Sequence, residues 1–205
     1  MEPKRIVESG YDAIADTHLD WLRRIDGDPR MRFVEELLDR LPEPVPIVDL
    51  GCGAGVPCTA ALAERHDVLG VDVSAAQLDL ARDLVPRARF EKHDMTEVDL
   101  PAGSVGAVTA FYSVGHVPRD EHAALYARIA TWLRPGGLFL AGLACTGNDG
   151  VAEDWLGAPM YFSSHEPATN RALLREAGFT LLVDELVTMR EPEREATFHW
   201  VLARS

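Results

Sequence analysis

Val48-Asp-Leu-Gly-Cys-Gly-Ala-Gly55 is the stretch that decides the fold of this 205-residue chain. A short apolar run, Val45 to Leu50, stops at three glycines spaced two apart, Gly51, Gly53 and Gly55, and Pro57 follows. Glycine lets the backbone take positive φ and lets a ligand approach the main chain closely. Proline suits a first helical turn, where its missing N–H is not needed. The stretch therefore reads as strand, Gly-rich turn and helix, the helix running to about residue 66. The pattern is G-x-G-x-G. A dinucleotide fingerprint, G-x-G-x-x-G, needs glycine at position 56, where Val56 stands. By itself the turn fits a nucleotide-like ligand or a plain tight turn.

Downstream, strands and helices alternate. Residues 68–73 form a second strand that closes on Asp72, and Ser74 can cap the helix striped by Leu78, Ala81 and Leu84. Residues 88–93 and 105–112 read as strands. The stripe Leu125, Ile129, Trp132 marks a helix ended by Pro135-Gly136-Gly137, and 138–143 is the next strand. Residues 145–165 show no period and read as a loop or lid. A helix over 167–177 and two strands, 180–189 and 195–203, close the chain as an antiparallel hairpin. Upstream, Tyr11, Ile14, His18, Trp21 and Ile25 recur at helical spacing until Gly27-Asp28-Pro29. Val34, Leu37 and Leu41 stripe a second helix, stopped by Pro42 and Pro44. Repeated βα units predict a parallel sheet with helices on both faces. Ligands of such a sheet bind beyond the carboxyl ends of the strands. The chain is expected to be one domain: helical cap 1–44, core 45–144, lid 145–165, helix and hairpin 166–205.

Composition narrows the partners. Lys and Arg number 20 against 33 Asp and Glu, a net charge of −13. Nucleic acid needs a basic footprint, so it is disfavoured, as is an anionic membrane surface. No Gly-Lys-Ser/Thr triplet offers a P-loop. Cys52, Cys58 and Cys145 are too scattered for a disulfide framework or a paired zinc motif, so no metal is expected. The first residues, MEPKRIVESGYDAIAD, lack the apolar run of a signal peptide. A cytoplasmic location is expected.

Three acidic positions stand out. Asp72 can accept both hydroxyls of a ribose, or it can cap the following helix. Asp94 can accept from an adenine amino group while Met95 packs on the ring, or the pair is a turn residue and a core methionine. Asp49 is a charge in an apolar run, which is costly unless it is paired. It either orders the Gly-turn amides or meets a cationic ligand.

VDLGCGAG at 48–55, GVDVS at 70–74, FEKHDM at 90–95, AFYSVGHVP at 110–118 and LRPGGLFLAG at 133–142 occur in this order. Together they make the chain resemble a class I S-adenosylmethionine-dependent methyltransferase of the small-molecule type, well over 45–145 and more loosely outside. The resemblance implies an α/β, Rossmann-like, doubly wound, seven-stranded mostly parallel sheet with a C-terminal antiparallel hairpin. It implies S-adenosylmethionine as cofactor and S-adenosylhomocysteine as product. It would set the methionine moiety against Asp49, Gly51 and Gly53, and the ribose on Asp72. Adenine would lie by Val73 with Asp94 and Met95 at its edge, and Phe111 and Tyr112 would border the sulfonium. The N-terminal helix of relatives covers the site, so Tyr11 or His18 would touch cofactor or acceptor. Gly106 departs from the pattern, since relatives often carry Asp there.

The chemistry so implied is in-line transfer of an activated methyl. Positioning can account for about 7–11 kcal/mol of a barrier, and a general base adds about 10²–10⁴-fold where the acceptor loses a proton. Base candidates are His116, just past the fourth strand, and His18, otherwise a core histidine. His66, His93 and His122 look like surface positions, and His199 looks structural. Trp155, Met160, Tyr161 and Phe162 would wall an acceptor pocket, or simply dock the lid; Cys145 could line it. The expected function is methylation of O, N or C of a small metabolite. Alternatives are a non-methylating use of the same cofactor, by cyclisation or elimination, and a non-catalytic binding module. A nicotinamide oxidoreductase is weakened by Val56 and by the absence of a catalytic Tyr-x-x-x-Lys.

Overall fold

In the computed structural model, which describes residues 2–205, the run Pro46–Leu50 is a strand, β1, inside a seven-stranded sheet. From β1 the chain moves outward through β2 (Asp67–Asp72) to β3 (Arg89–Lys92). It then returns to β4 (Val105–Phe111) on the other side of β1, and on to β5 (Leu133–Ala144). These five strands are parallel. The last two, β8 (Thr180–Arg190) and β9 (Glu195–Arg204), add antiparallel, giving the order β3-β2-β1-β4-β5-β9-β8. The strand order reverses between β1 and β4, so the carboxyl ends of these two parallel strands open a crevice.

The central strands are apolar throughout because both faces are covered. On one face Val48, Leu50, Val108, Ala110 and Phe139 pack under α5 (His122–Trp132) and Leu174 of α6 (Pro167–Glu176). On the other, Ile47, Ala107, Leu140 and Leu202 meet α2 (Arg30–Asp39) and α3 (Cys58–Ala63). There Phe33 stacks on Trp200 with ring centroids 4.3 Å apart. The helix α4 (Ala75–Leu84) follows β2, and α1 (Pro3–Leu22) lies over the crevice. Gly106 has a packing reason. A Cβ there would stand 2.6 Å from the Cβ of Val45, so an aspartate would not fit beside this valine.

Several expectations need correction. The segment 145–165 is not an aperiodic loop: it holds an antiparallel pair, β6 (Asp149–Trp155) and β7 (Ala158–Ser163). The helix after the Gly-rich turn is shorter than read, Cys58–Ala63. The strand expected from 138 already begins at Leu133, with an irregular register between Val105 and Ala107. His66 and His122 are buried, not surface. Val45 N–H donates to His66 Nδ1 at 3.2 Å, and His122 Nε2 donates to Val117 O at 2.9 Å. His122 shares the inward stripe of Leu125, Tyr126 and Ile129.

His199 is structural: fully buried on β9, its Nε2 lies 2.9 Å from Asp184 Oδ1. Arg171 Nε donates to both Asp184 oxygens, at 2.9 and 2.7 Å. The Arg171 guanidinium holds the Asp184 carboxyl down at about 2, against an ordinary value of 3.8. The lowered carboxyl binds its proton later in the folded chain than in the unfolded one. Its stabilising effect is therefore full above about pH 4 and fades as pH falls through about 2. Asp184→Asn should lower the thermal midpoint at neutral pH, and the gap from wild type should close over that acid window. A gap independent of pH would contradict this.

Candidate active site

The Gly-rich turn uses positive φ at all three glycines, +68° at Gly51, +54° at Gly53 and +76° at Gly55. Gly51 is the most constrained. Its N–H donates to Val71 O at 2.7 Å, and an added Cβ would fall 2.2 Å from Ser113 Cβ. Ser113 cannot retreat freely, because its hydroxyl donates to Leu50 O at 2.6 Å.

Asp72, at the end of β2, binds the turn from the other side. Its Oδ2 accepts from Gly53 N at 2.8 Å and its Oδ1 from Ser74 N at 2.9 Å. Ser74 caps α4 through Gln77 N at 3.1 Å. Burial pushes the Asp72 carboxyl up, and these backbone donors pull it back. Each carboxylate oxygen can accept more than one bond, so capacity for a ligand remains. Asp49 is satisfied by two hydroxyls, Thr59 Oγ1 at 2.6 Å and Thr109 Oγ1 at 2.7 Å. It takes no Gly-turn amide, which removes the first of the two readings given for it. Burial raises its carboxyl to about 6, with the threonines opposing. Asp94 Oδ1 accepts from Thr96 N and Oγ1, both at 2.8 Å, and its Oδ2 lies 3.1 Å from Lys4 Nζ of α1.

A cavity of about 210 Å³ joins these groups. It is lined by Asp72, Val73, Asp94 and Met95, by Asp49 and the glycines of the turn, and by Phe111, Tyr112 and His116. Tyr11, His18 and Trp21 of α1 reach it from above, with Trp155 and Phe162 of the β6–β7 pair. Trp155 packs edge-on against Tyr11, Trp21 and Phe162 at centroid distances of 5.7, 5.9 and 5.5 Å. Gly10 permits this cover to close. A Cβ there would stand 2.7 Å from Pro159 O and 2.8 Å from Met160 Cε.

Tyr11 and His116 meet directly, Oη to Nε2 at 2.8 Å, and His116 Nδ1 lies 2.9 Å from Tyr161 O. A carbonyl only accepts, so Nδ1 carries the hydrogen and Nε2 accepts from the Tyr11 hydroxyl. Burial lowers His116 to about 4 and raises the Tyr11 phenol well above its usual range. His18 Nδ1 pairs with Gln77 Nε2 at 3.2 Å, and burial, then the neighbouring His116 and Arg30, lower it to about 3.

The cavity thus gathers Tyr11, His18, Asp49, Gly51, Gly53, Asp72, Val73, Asp94, Met95, Phe111, Tyr112, His116, Trp155 and Phe162. Met160, Tyr161 and Cys145 are not on its wall. Met160 and Tyr161 are buried in one apolar cluster with Val7 and Ile14 of α1. Cys145 donates to Thr197 O at 3.2 Å, outside the cavity.

One charged group of the cavity has no counterpart among the residues singled out from the sequence. Arg30, buried at the start of α2, lines the cavity in an ion pair with Asp28 at 2.6 Å. Asp28 also accepts from Arg30 N and from Tyr112 Oη, at 3.0 and 2.9 Å. Gly27-Asp28-Pro29 does more than stop a helix, because its aspartate anchors Arg30. Among the described residues, no group of three or more His, Cys, Asp or Glu side chains is arranged to hold a metal ion. No helix of the described residues is long and apolar enough to cross a membrane.

A Gly-rich turn at the switch point, an acidic end on β2 and a C-terminal antiparallel hairpin together define the class I methyltransferase architecture. Residues 47–137 match the family model described as a methyltransferase domain. The trans-aconitate 2-methyltransferase of Variovorax paradoxus (strain S110) is 39% identical over 128 residues, 58% of this chain and 48% of that protein. The chain spans about half the length of the curated relatives it matches. Among solved structures, the magnesium protoporphyrin IX methyltransferase of Synechocystis PCC 6803 superposes with a TM-score of 0.76 at 18% identity, over 100% of this chain and 97% of that one. The cyclase SpnF superposes with a TM-score of 0.75 at 18% identity, over 97% and 94%. These two likenesses show the fold. Residues 47–137 are thus a methyltransferase domain, and the sheet around them has the class I S-adenosylmethionine-dependent methyltransferase topology.

Proposed function

We propose that the chain methylates a small molecule held beneath α1 and the β6–β7 pair. The observation that carries this reading is one cavity lined both by Asp72, Asp94 and the Gly-rich turn and by His116 under the aromatic cover of Tyr11, Trp155 and Phe162.

The residues fit S-adenosylmethionine. Asp72 keeps acceptor capacity for ribose hydroxyls, and Gly51 and Gly53 leave the turn free of side chains. Val73, Met95 and Asp94 supply an apolar slot with an acidic edge for adenine. Asp49, with Phe111 and Tyr112, faces the methionine and sulfonium end. When bound, the cofactor supplies a methyl already activated for in-line displacement. The chain then has three tasks: to orient the acceptor, to exclude water and to take up a proton where one is released. The aromatic cover serves the first two, and His116 or His18 the third.

The test is a tritiated-methyl transfer screen against metabolite pools and trans-aconitate, with S-adenosylhomocysteine binding as control. Label should appear on a small molecule, with S-adenosylhomocysteine released in equal amount. Binding without transfer to any acceptor would favour the module. Cofactor consumption without label on an acceptor would favour cyclisation or elimination.

A further inference from the structure

Resting on that reading, we propose that Tyr11 and His116 form a two-residue proton relay for a neutral acceptor. Its methylated atom would begin as an O–H or N–H, not as a carboxylate. Two independent observations lead there.

The first is the hydrogen-bond chain. Tyr161 O fixes the His116 tautomer, so Nε2 presents its lone pair to the Tyr11 hydroxyl at 2.8 Å. With its hydrogen committed to His116, Tyr11 Oη has lone pairs left to accept from a ligand in the cavity it lines. His18 has no such chain, because its Nδ1 is paired with Gln77. The members come from α1, the turn after β4, and β7. The relay therefore exists only while α1 and the β6–β7 pair cover the site, which ties proton transfer to water exclusion.

The second is charge. Each lysine or arginine lining the cavity, among the described residues, is ion-paired. Lys4 lies 3.1 Å from Asp94 and 2.9 Å from Glu121, Arg30 lies 2.6 Å from Asp28, and Arg194 lies 3.0 Å from Glu191. Asp49 and Asp72 add carboxylates with no cation bonded to them. An acceptor carboxylate entering here finds no lysine or arginine free to hold it, and once the methyl has moved any second carboxylate it carries stays buried without a counter-ion, which is costly. A neutral acceptor avoids that cost, but a neutral O–H or N–H must shed its proton as it is methylated.

The step balances. The acceptor's proton passes to Tyr11 Oη while the Tyr11 proton passes to His116 Nε2. The acceptor's freed electron pair forms the bond to the methyl carbon, and the carbon–sulfur bond breaks with its pair left on sulfur. One positive charge leaves sulfur and one appears on the imidazolium, so the net charge of the enclosed site does not change. In a low dielectric that conservation favours the relay over a proton lost to solvent. The Tyr161 carbonyl already accepts from Nδ1–H and stabilises the imidazolium.

The test compares Tyr11→Phe, His116→Gln and the double variant with wild type on the acceptor found by transfer screening. Each single change should lower turnover about 10²–10⁴-fold, with a far smaller change in S-adenosylhomocysteine affinity. The double variant should be no worse than the poorer single one. Nitrogen NMR of wild type with S-adenosylhomocysteine should show His116 protonated at Nδ1 and bare at Nε2, with the Nε2 signal moving in Tyr11→Phe. If wild type transfers to nothing, the methyltransferase reading falls and the relay with it. If wild type transfers but Tyr11→Phe keeps full turnover, or the losses add, or Nε2 carries the proton, the relay alone falls. Preferred methylation of trans-aconitate, undiminished in both single variants, would overturn the acceptor class.

Discussion

Gly51→Ala should destabilise the fold and abolish cofactor binding together. The alanine would need φ near +68°, and its Cβ would overlap Ser113. A left-handed conformation costs about 1–2 kcal/mol for an L-residue, and overpacking about 1–3 kcal/mol more. Ser113 is held by Leu50 O, so the turn itself must shift, and the turn is the floor of the cavity. Gly136→Ala is the control. It has φ of +77° and nothing within 4 Å of an added Cβ, so only the backbone cost applies. Thermal melts of both variants should show a clearly larger drop for Gly51→Ala, and calorimetry should show lost S-adenosylhomocysteine binding for that variant alone. Equal drops, or retained binding, would show that the turn tolerates a side chain and is not the binding floor.

Asp72→Ala should weaken S-adenosylhomocysteine binding by roughly ten- to hundred-fold. A hydrogen bond to a charged group contributes about 1.5–3 kcal/mol, and each 1.4 kcal/mol is tenfold. The same carboxylate also ties Gly53 N and Ser74 N, so some of the loss will come from a loosened turn. A ribose-deoxy analogue of the ligand separates the two. If Asp72 holds the hydroxyls, wild type should discriminate against the analogue and Asp72→Ala should not. Unchanged affinity in the variant, or undiminished discrimination, would sink the ribose assignment.

The sheet was legible because its decisive signals are local. A glycine at every second position after an apolar strand, then an acid closing the next strand, needs no knowledge of distant residues. Asp72, Asp94 and Met95 were each ambiguous alone; the resemblance to the methyltransferase family grouped them, and all three line the cavity. Other features depended on contacts the chain brings together from afar. Tyr11 and His116 lie 105 positions apart, and Asp49 takes its hydroxyls from Thr59 and Thr109. No spacing rule links such pairs.

The β6–β7 pair was hidden for a different reason. β6 buries no side chain fully and carries Asp149, Glu153 and Asp154, so the alternation that marks a half-buried strand is missing. Met160 and Tyr161 looked like pocket residues because an aromatic cluster in a loop invites that reading. Met160 and Phe162 share one face of β7, two residues apart; Met160 is fully buried in the cluster with Val7 and Ile14 of α1, while Phe162 also lines the cavity. Arg30 carries no local signal because arginine is a surface residue by default, and its burial depends on Asp28 and on the Tyr112 ring 5.4 Å away. His122 could have been found: it shares the helical stripe of Tyr126 and Ile129.

The central claim is that the cavity beside the Gly-rich turn holds the methyl donor. Titration calorimetry of the purified chain with S-adenosylhomocysteine, with NAD as the comparison ligand, tests it most directly. Saturable one-to-one binding of S-adenosylhomocysteine, lost in Gly51→Ala and weakened in Asp72→Ala, with no heat from NAD, is the predicted result. Binding of NAD without S-adenosylhomocysteine, or binding of S-adenosylhomocysteine indifferent to both substitutions, would contradict it.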